Sequence, residues 1–398
     1  MIIIQIAGGL GNQMQQYALY RRFLSLGREA KIDLSWFDDR TAQQNVYAPR
    51  AFELSYFQGL PYEACTAQEK AALTGGDGLL GKLRRKLWSV LPPKTTGVVK
   101  VASERAGAAQ IASEQTGTAK INSKQAGAAK MASERQGEAG SQPPLRMAGG
   151  RLFQETEIYH PQLLTLTDAY VCGYFACEKY YAEILPQLRE LFVFPESGDS
   201  QVQAQNEAML RQLREEQTVP VSVHIRRGDY LAAENAALLG GICTDAYYQG
   251  AVEAVRRKAE KSRILSGNCV QGQTEKQNNH LAEQQGDAER TVRLHFYIFS
   301  DDPDYARTLH FGLPQEENTV IDWNSGRDSL LDMQLMAHCR HNICANSTFS
   351  FWGARLNPYP DKIQVRPSVH KNTQTYDPQT MHAYWAGWTL VDREGWEV

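Results

Sequence analysis

The segment VSVHIRRGDY, residues 221–230, joins a strand pattern to two adjacent arginines. Apolar and polar residues alternate along its first half, which is typical of a β-strand. Arg226 and Arg227 follow directly, and Gly228 permits a tight turn after them. Ligands of open α/β sheets bind beyond the carboxyl ends of strands, where two guanidinium groups suit a diphosphate. We therefore predict a diphosphate site here rather than a solvated pair of surface arginines.

A second segment, ANSTFSFWGAR at 345–355, predicts a strand, a hydroxyl-rich turn and then a helix. The backbone N–H groups at a helix N-terminus form an anion site. Ser347, Thr348 and Ser350 add hydroxyl donors, which exceed what N-capping of one helix requires. This turn is therefore a second candidate for contact with phosphate.

A third segment, FYIFSDDPDY at 296–305, ends a buried strand with Asp301 and Asp302. Such carboxylates can accept hydrogen bonds from a nucleobase or a ribose, or they can hold a metal ion. The signal is weak alone, because Asp-Asp-Pro also begins many helices.

The opening AGGLGNQ, residues 7–13, is rich in glycine but does not fit the dinucleotide-binding pattern G-x-G-x-x-G. Counted from Gly9 and Gly11, Met14 occupies the position of the third glycine. A dinucleotide-dependent dehydrogenase is therefore disfavoured.

The elements that position these segments alternate between strand and helix. Strands predicted at Ile2–Ile6 and Ala30–Leu34 flank a helix, which is a βαβ unit of a parallel sheet. The second half alternates in the same way, with Ile363–Arg366 expected to close its sheet. We predict two doubly wound α/β domains that face a cleft, at 1–215 and 216–398.

Two insertions interrupt this alternation. The first, at about 95–150, contains four ten-residue repeats at 101–140 and is interpreted as low-complexity chain, with a spacer or partner segment as the alternative. The second, at about 262–291, is rich in Gln, Asn and Glu and is predicted to be a polar surface loop of the second domain.

Residues 79–94, LLGKLRRKLWSVLPPK, form a basic amphipathic pattern ended by two prolines. Such a segment can lie on an anionic membrane surface, and the alternative is a helix packed on its own domain. Peripheral contact at the inner face of the membrane thus remains an open hypothesis.

Composition narrows the class of protein. The chain has 398 residues, enough for two domains, and its net charge of −3 gives no support to nucleic-acid binding. No apolar run has the length of a membrane span, and seven cysteines argue against a disulfide framework. We expect a reduced, cytoplasmic protein.

Taken together, these segments resemble the α-1,2-fucosyltransferases of bacterial and animal glycan synthesis. The resemblance is carried by H-x-R-R-G-D-Y, the S-D-D strand end, N-S-T-F-S-F-W-G, the opening G-G-L-G-N-Q and the stretch at 173–194. It covers most of 1–60 and 150–365, but neither the repeats at 101–140 nor the segment at 262–291.

This resemblance implies a GT-B fold with two Rossmann-like domains, GDP-fucose as the donor, inversion at the anomeric carbon, and no metal or other cofactor. Arg226 or Arg227 would contact the β-phosphate, and Asp301 and Asp302 would approach guanine. The implied GDP-fucose-binding residues are His224, Arg226, Arg227, Asp301, Asp302, Asn346, Ser347, Thr348, Phe349 and Ser350.

The candidate catalytic residues are Asn12, Arg227, Asp229 and Glu234. Asn12 would lie close to the reaction centre, and Arg227 would stabilise the charge that builds on the departing phosphate. Asp229 and Glu234 are candidate bases, although Asp229 can instead pair with Arg226 or cap the turn. Gln15 departs from the family, which usually carries an aromatic residue there, so local packing or acceptor contact differs.

The expected partners are GDP-fucose and a galactose-terminated oligosaccharide or lipid-linked glycan. Two alternatives stay open at this point: another GDP-sugar transferase on the same fold, and a non-catalytic protein that binds a nucleotide sugar.

Overall fold

The computed structural model describes residues 1–43, 49–76, 147–148, 151–155, 158–215, 217–274, 292–309, 311–374 and 377–398. The amphipathic segment at 79–94 and the repeats at 101–140 lie outside these residues. Over the residues described, no helix is both long enough and apolar enough to cross a membrane.

The first sheet of the described chain lies in the N-terminal half. Its strands are β1 (Ile2–Gln5), β2 (Ala30–Asp33), β3 (Met147–Ala148), β4 (Leu152–Gln154) and β5 (Ala169–Cys172). Their order is β2-β1-β5-β4-β3, and every pairing is parallel except that of β3 with β4. The interior strand β1 begins with three isoleucines that are buried on both faces, as a strand covered by helices on either side requires.

The insertion predicted at 95–150 ends earlier than expected. Met147–Ala148 belongs to the sheet, because it pairs with Leu152–Phe153 of β4. Two residues are too short for a recognisable alternation, so the sequence pattern did not reveal this strand.

The helices of the N-terminal half connect and cover these strands. Among the residues that the structure describes, they are α1 (Leu10–Ser25), α2 (Ala67–Thr74), α3 (Leu185–Leu191) and α4 (Ser200–Glu215). Helix α1 follows β1 through the predicted glycine turn. The predicted domain division at 215/216 stays a prediction.

The second sheet is parallel throughout its described strands. These are β6 (Val219–Ile225), β7 (Leu294–Ser300), β8 (Asn318–Ile321), β9 (His341–Ile343), β10 (Gln364–Pro367) and β11 (Thr389–Val391). Their order is β11-β10-β9-β6-β7-β8. The expectation that Ile363–Arg366 closes the sheet is wrong, since β11 pairs with β10 beyond it.

Helices alternate with these strands, as the sequence predicted. They are α5 (Ala233–Leu239), α6 (Asp245–Thr274), α7 (Pro303–Thr308), α8 (Ser329–His338), α9 (Thr348–Leu356) and α10 (Pro378–Tyr384). The chain is therefore a mixed α/β protein built on mainly parallel sheets. Helix α8 also packs against α4 of the N-terminal half.

The predicted polar loop at 262–291 is wrong over its first part, because α6 continues to Thr274. Once a helix exists, each further residue adds one hydrogen bond, and no proline interrupts this stretch. Residues 275–291 lie outside the described chain.

One apolar cluster joins the two sheets. It includes Ile2 and Ile4 of β1 together with Tyr297 and Phe299 of β7, and Trp352 of α9. The Trp352 Nε1 atom donates a hydrogen bond to the backbone oxygen of Gly11 at 2.9 Å. Helices α1 and α9 therefore pack together at the boundary between the halves.

Candidate active site

A cleft of about 920 Å³ lies between the two sheets. The N-terminus of α1 forms one wall, and the ends of β6 and β7 and the N-terminus of α9 form the other. The sequence-predicted residues that line it are Asn12, His224, Arg226, Asp229, Asp301, Ser347, Thr348 and Phe349. Predictions made from separate segments thus converge on one site.

Arg226 is held in this cleft by two carboxylates. Its Nη2 atom donates to Asp229 Oδ1 at 2.5 Å, and its Nη1 atom lies 2.8 Å from Asp301 Oδ2. Burial alone would lower the pKa of Arg226, but Asp301 and Asp229 outweigh it and raise the pKa. The guanidinium is therefore charged and fixed in orientation before any ligand binds.

Arg227 turns away from the cleft lining. Its Nε atom donates to Asp302 Oδ2 at 3.1 Å, and its guanidinium lies 3.6 Å from the centre of the Tyr305 ring. The Arg227 backbone N–H donates to Asp301 Oδ1 at 2.9 Å. Of the two adjacent arginines, Arg226 is the one that faces the cleft.

The two predicted aspartates at the end of β7 have separate tasks. Both carboxylate oxygens of Asp301 are engaged, one by Arg226 and one by the Arg227 amide. Asp302 caps α7, where its Oδ1 atom accepts from the Tyr305 N–H at 3.0 Å, and it does not line the cleft. Asp302 thus positions Arg227 and begins a helix.

Asp229 is bracketed by two arginines. Its Oδ1 atom accepts from Arg226, and its Oδ2 atom accepts from Arg50 Nη2 at 3.0 Å. This geometry agrees with the pairing alternative for Asp229. The other candidate base, Glu234, lies on α5, and its side chain is outside the described part of the structure.

The N-termini of α1 and α9 meet at the cleft. Neither N-cap residue, Gly9 nor Ser347, caps its own helix with a side-chain hydrogen bond. A Cβ atom on Gly11 would lie 2.5 Å from Thr348 Oγ1 and 2.8 Å from the Phe349 nitrogen. Only glycine lets the two N-termini approach so closely, and both present backbone N–H groups suited to an anion.

Asn346 and Ser350 were predicted to bind the donor, but they are not among the residues that line the cleft. The Asn346 Nδ2 atom donates to the backbone oxygens of Leu239 at 3.0 Å and His370 at 3.1 Å. The Ser350 hydroxyl donates to the backbone oxygen of Ser347 at 3.1 Å. Both are buried and hold the turn in shape, while Ser347, Thr348 and Phe349 face the cleft.

His224 lines the cleft as a neutral ring. Burial, reinforced by the nearby charge of Arg226, lowers the pKa of His224 to about 3. Its ring lies 5.7 Å from that of Phe349, centre to centre. His224 can therefore offer a hydrogen-bonding nitrogen at neutral pH, but no positive charge.

Asn12 and Gln15 lie on the cleft-facing side of α1. Gln15 is buried, and in the amide orientation that satisfies both neighbours it donates to the Tyr174 oxygen at 2.7 Å and accepts from Arg355 Nη1 at 3.2 Å. A phenylalanine ring could make neither bond, so this departure from the family changes the wall near Tyr174.

Several cleft residues were missed by sequence reasoning: Arg50, Glu53, Tyr174, Asn324 and Asp332. Burial raises the pKa of Glu53, although Arg50 and the Leu10 amide oppose it. A signal was available for Asp332, which interrupts the apolar residues of α8 as a lone carboxylate. Glu53 begins a 3-10 helix of four residues, Glu53–Tyr56, and Arg50 lies just before it. So short an element has no recognisable period, so no comparable signal existed for these two residues.

Asp332 should make the stability of the protein fall as pH rises. Burial raises its pKa from 3.8 to about 8, although the Asn324 Nδ2 atom donates to its Oδ1 atom at 2.7 Å. Between those values the folded state keeps a proton that the unfolded chain has released, so the free energy of unfolding decreases across this window. One proton contributes at most about 1.4 kcal/mol per pH unit.

Asp332→Asn keeps the acceptor oxygen and removes the ionisation. The free energy of unfolding of the variant, measured with urea, should increase relative to that of wild type by at least about 1–2 kcal/mol as the pH rises from about 5 to about 9. The control is Asp304→Asn, whose carboxylate is 97% exposed. An equal pH dependence in wild type and Asp332→Asn would contradict this prediction.

No group of three or more His, Cys, Asp or Glu side chains in the described ranges is arranged to hold a metal ion.

Residues 162–268 and 285–392 match the family model of Glycosyl transferase family 11. An alpha-1,2-colitosyltransferase of Escherichia coli is 27% identical over 209 residues, 52% of this chain and 58% of the relative. The O-antigen biosynthesis glycosyltransferase WbnK of Escherichia coli is 30% identical over 146 residues, 37% of each chain. The matched segments therefore span less than two thirds of either relative.

Proposed function

The chain belongs to glycosyl transferase family 11, and on that premise we propose that it is an inverting, metal-independent transferase of GT-B fold. It moves L-fucose from GDP-fucose to the 2-hydroxyl of a terminal β-galactoside. The observation that carries this proposal is the convergence of Arg226 and two helix N-termini on one cleft. A charged guanidinium and backbone N–H groups together suit a diphosphate.

In the proposed reaction, the bond between the anomeric carbon and the β-phosphate oxygen breaks as the acceptor O2 attacks from the opposite face. The electron pair of that bond stays on the phosphate, and the proton of the acceptor hydroxyl passes to a base, for which Glu234 is the candidate. Negative charge therefore grows on GDP in the transition state. Arg226 and the N–H groups of α9 interact with this growing charge, so they stabilise the transition state more than they stabilise the ground state.

We assign Arg226, rather than Arg227, to the β-phosphate, because only Arg226 lines the cleft. Asp229 then acts as a positioning residue, since Arg226 and Arg50 occupy both of its oxygens. Asn12 lies on α1 and would orient the acceptor hydroxyl. Glu234 stays a candidate base.

For guanine we favour the wall formed by Asn324 and Asp332 over Asp301 and Asp302. Asp301 and Asp302 are each paired with an arginine, whereas Asp332 lines the cleft beside Asn324, whose amide orients it. A carboxyl group that keeps its proton near neutral pH can donate a hydrogen bond as well as accept one.

Two alternative functions compete with this proposal. The name of one relative makes colitose an alternative donor sugar, and the name of WbnK makes an O-antigen glycan an alternative acceptor. A non-catalytic protein that binds a nucleotide sugar is the second reading, but the full cleft with its fixed arginine favours an enzyme.

The test is an assay with GDP-fucose and lactose in the presence of EDTA, which follows GDP release and product mass. We expect a product heavier by one deoxyhexose, with NMR placing the linkage at galactose O2. GDP-colitose and GDP-mannose in place of GDP-fucose identify the donor. Faster transfer from either of these donors would identify it, rather than GDP-fucose, as the donor. GDP binding without turnover of any donor would support a non-catalytic protein that binds a nucleotide sugar.

A further inference from the structure

We propose that Tyr174 is the aromatic platform on which the terminal sugar ring of the acceptor stacks, an inference that rests on the proposed transferase function. Tyr174 lines the cleft, yet its side chain is 52% exposed. A large ring held open to solvent inside a cleft is unusual for a residue that only packs, and it suits a ligand with an apolar face.

The backbone around Tyr174 is shaped to present the ring. Gly173 has a φ angle of +147° and Phe175 has a φ angle of +52°, a conformation that non-glycine residues rarely adopt. Phe175 is fully buried, and its ring lies 6.4 Å from Phe153 and 5.7 Å from Tyr180, centre to centre. The chain therefore anchors Phe175 inward and directs Tyr174 outward.

Hydrogen bonds hold this loop in place. Glu155 Oε2 accepts from the amides of Tyr174 at 2.6 Å and Phe175 at 2.8 Å. Gln16 Nε2 donates to the Gly173 oxygen at 2.8 Å, and the Gln15 amide donates to the Tyr174 backbone oxygen. A strained backbone conformation persists only where the surrounding contacts hold it in place, and such conformations cluster at ligand sites.

The ring lies on the wall of the cleft contributed by the first sheet. A Cβ atom on Gly8 would lie 3.4 Å from Tyr174 Cε1 and 3.0 Å from Asn12 Nδ2. Tyr174 and Asn12 are thus neighbours across the glycine turn, whereas Arg226 follows β6 of the other sheet. This places the ring beside the residue proposed to orient the acceptor hydroxyl.

The chemistry of a galactoside fits such a ring. One face of β-galactose exposes the C–H groups of C3, C4 and C5, which carry slight positive charge. The face of an aromatic ring carries slight negative charge, and tyrosine loses little conformational entropy when it is held. Stacking on this face leaves the 2-hydroxyl at the edge of the sugar, where it can reach the anomeric carbon of the donor.

The experiment compares Tyr174→Ala and Tyr174→Phe with wild type, and uses Tyr62→Ala as a matched control for loss of an exposed tyrosine. Three quantities are measured: KM for lactose, Kd for GDP, and saturation transfer from GDP-loaded protein to the galactose protons of lactose. Tyr174→Ala should raise KM for lactose about tenfold and abolish the saturation transfer. It should leave Kd for GDP within about twofold, and Tyr174→Phe should resemble wild type.

The outcomes separate this inference from the proposed function. If wild type transfers fucose to no galactoside, the proposed function fails, yet saturation transfer still decides the role of Tyr174. A wild-type protein without saturation transfer to lactose, or a Tyr174→Ala variant that keeps it, overturns the platform. A weaker Kd for GDP in Tyr174→Ala would move the ring to the donor site, and equal loss in Tyr174→Phe would assign the effect to the hydroxyl.

Discussion

Arg226→Ala should lower kcat/KM for the nucleotide-sugar donor by about 10²–10³. The variant removes the charged group that faces the cleft, so charge on the departing phosphate loses its strongest partner. It also removes the Arg226 partner of Asp229 and of Asp301 beside the same phosphate, and the repulsion of these less neutralised carboxylates adds to the loss. The measurement is steady-state kinetics with varied donor, together with Kd for GDP by calorimetry.

Three variants sharpen this test. Arg226→Lys should recover only part of the rate, because one ammonium group cannot reach both carboxylates and the phosphate as the planar guanidinium does. Arg211→Ala is the control for loss of a surface arginine, since its side chain is 59% exposed. Arg227→Ala should cost less than Arg226→Ala; a larger loss in Arg227→Ala would return the phosphate contact to Arg227.

Gly11→Ala should reduce donor turnover by at least about 10² and weaken GDP binding in parallel. The new methyl group would meet the backbone of Thr348 at 2.6 Å and the Phe349 nitrogen at 2.8 Å. The N-terminus of α9 must then move away from α1, and its N–H groups leave the position in which they can bind phosphate. Overpacking of this kind also costs about 1–3 kcal/mol of stability.

Gly198→Ala is the matched control, because no atom lies within 4 Å of a Cβ placed there. Thermal unfolding should show a lower Tm for Gly11→Ala and little change for Gly198→Ala. The kinetic loss in Gly11→Ala should persist at temperatures well below its Tm. Wild-type turnover in a folded Gly11→Ala protein would contradict the proposed role of the paired helix N-termini.

The elements that carry the site could be predicted from sequence because they are central parallel strands. The structure has β6 at Val219–Ile225, which includes the alternating half of the segment at 221–230 that indicated a strand. The short edge elements could not be predicted: β3 has two residues and β11 has three, which is too few for a period to be recognised.

Side-chain direction was the other limit of the sequence. Arg226 and Arg227 are adjacent, and nothing local decides which one faces the cleft. The decision comes from Asp302 and Tyr305, which follow β7 and hold Arg227 aside. The side-chain amide of Asn346 likewise donates hydrogen bonds to backbone oxygens that are distant in the chain. A local sequence motif does not reveal such partners.

The continuous apolar cluster between the sheets also bears on how nucleotide enters and leaves. Enzymes built from two lobes on a hinge can release product by swinging the lobes apart, provided that the contact between lobes is small and polar. Here Trp352 is buried at that contact and bonded to Gly11, and each such side chain contributes about 1.5–3 kcal/mol when it stays dry. The two halves of the described chain should therefore remain joined throughout turnover, and the nucleotide product should depart through movement of the loops that line the cleft.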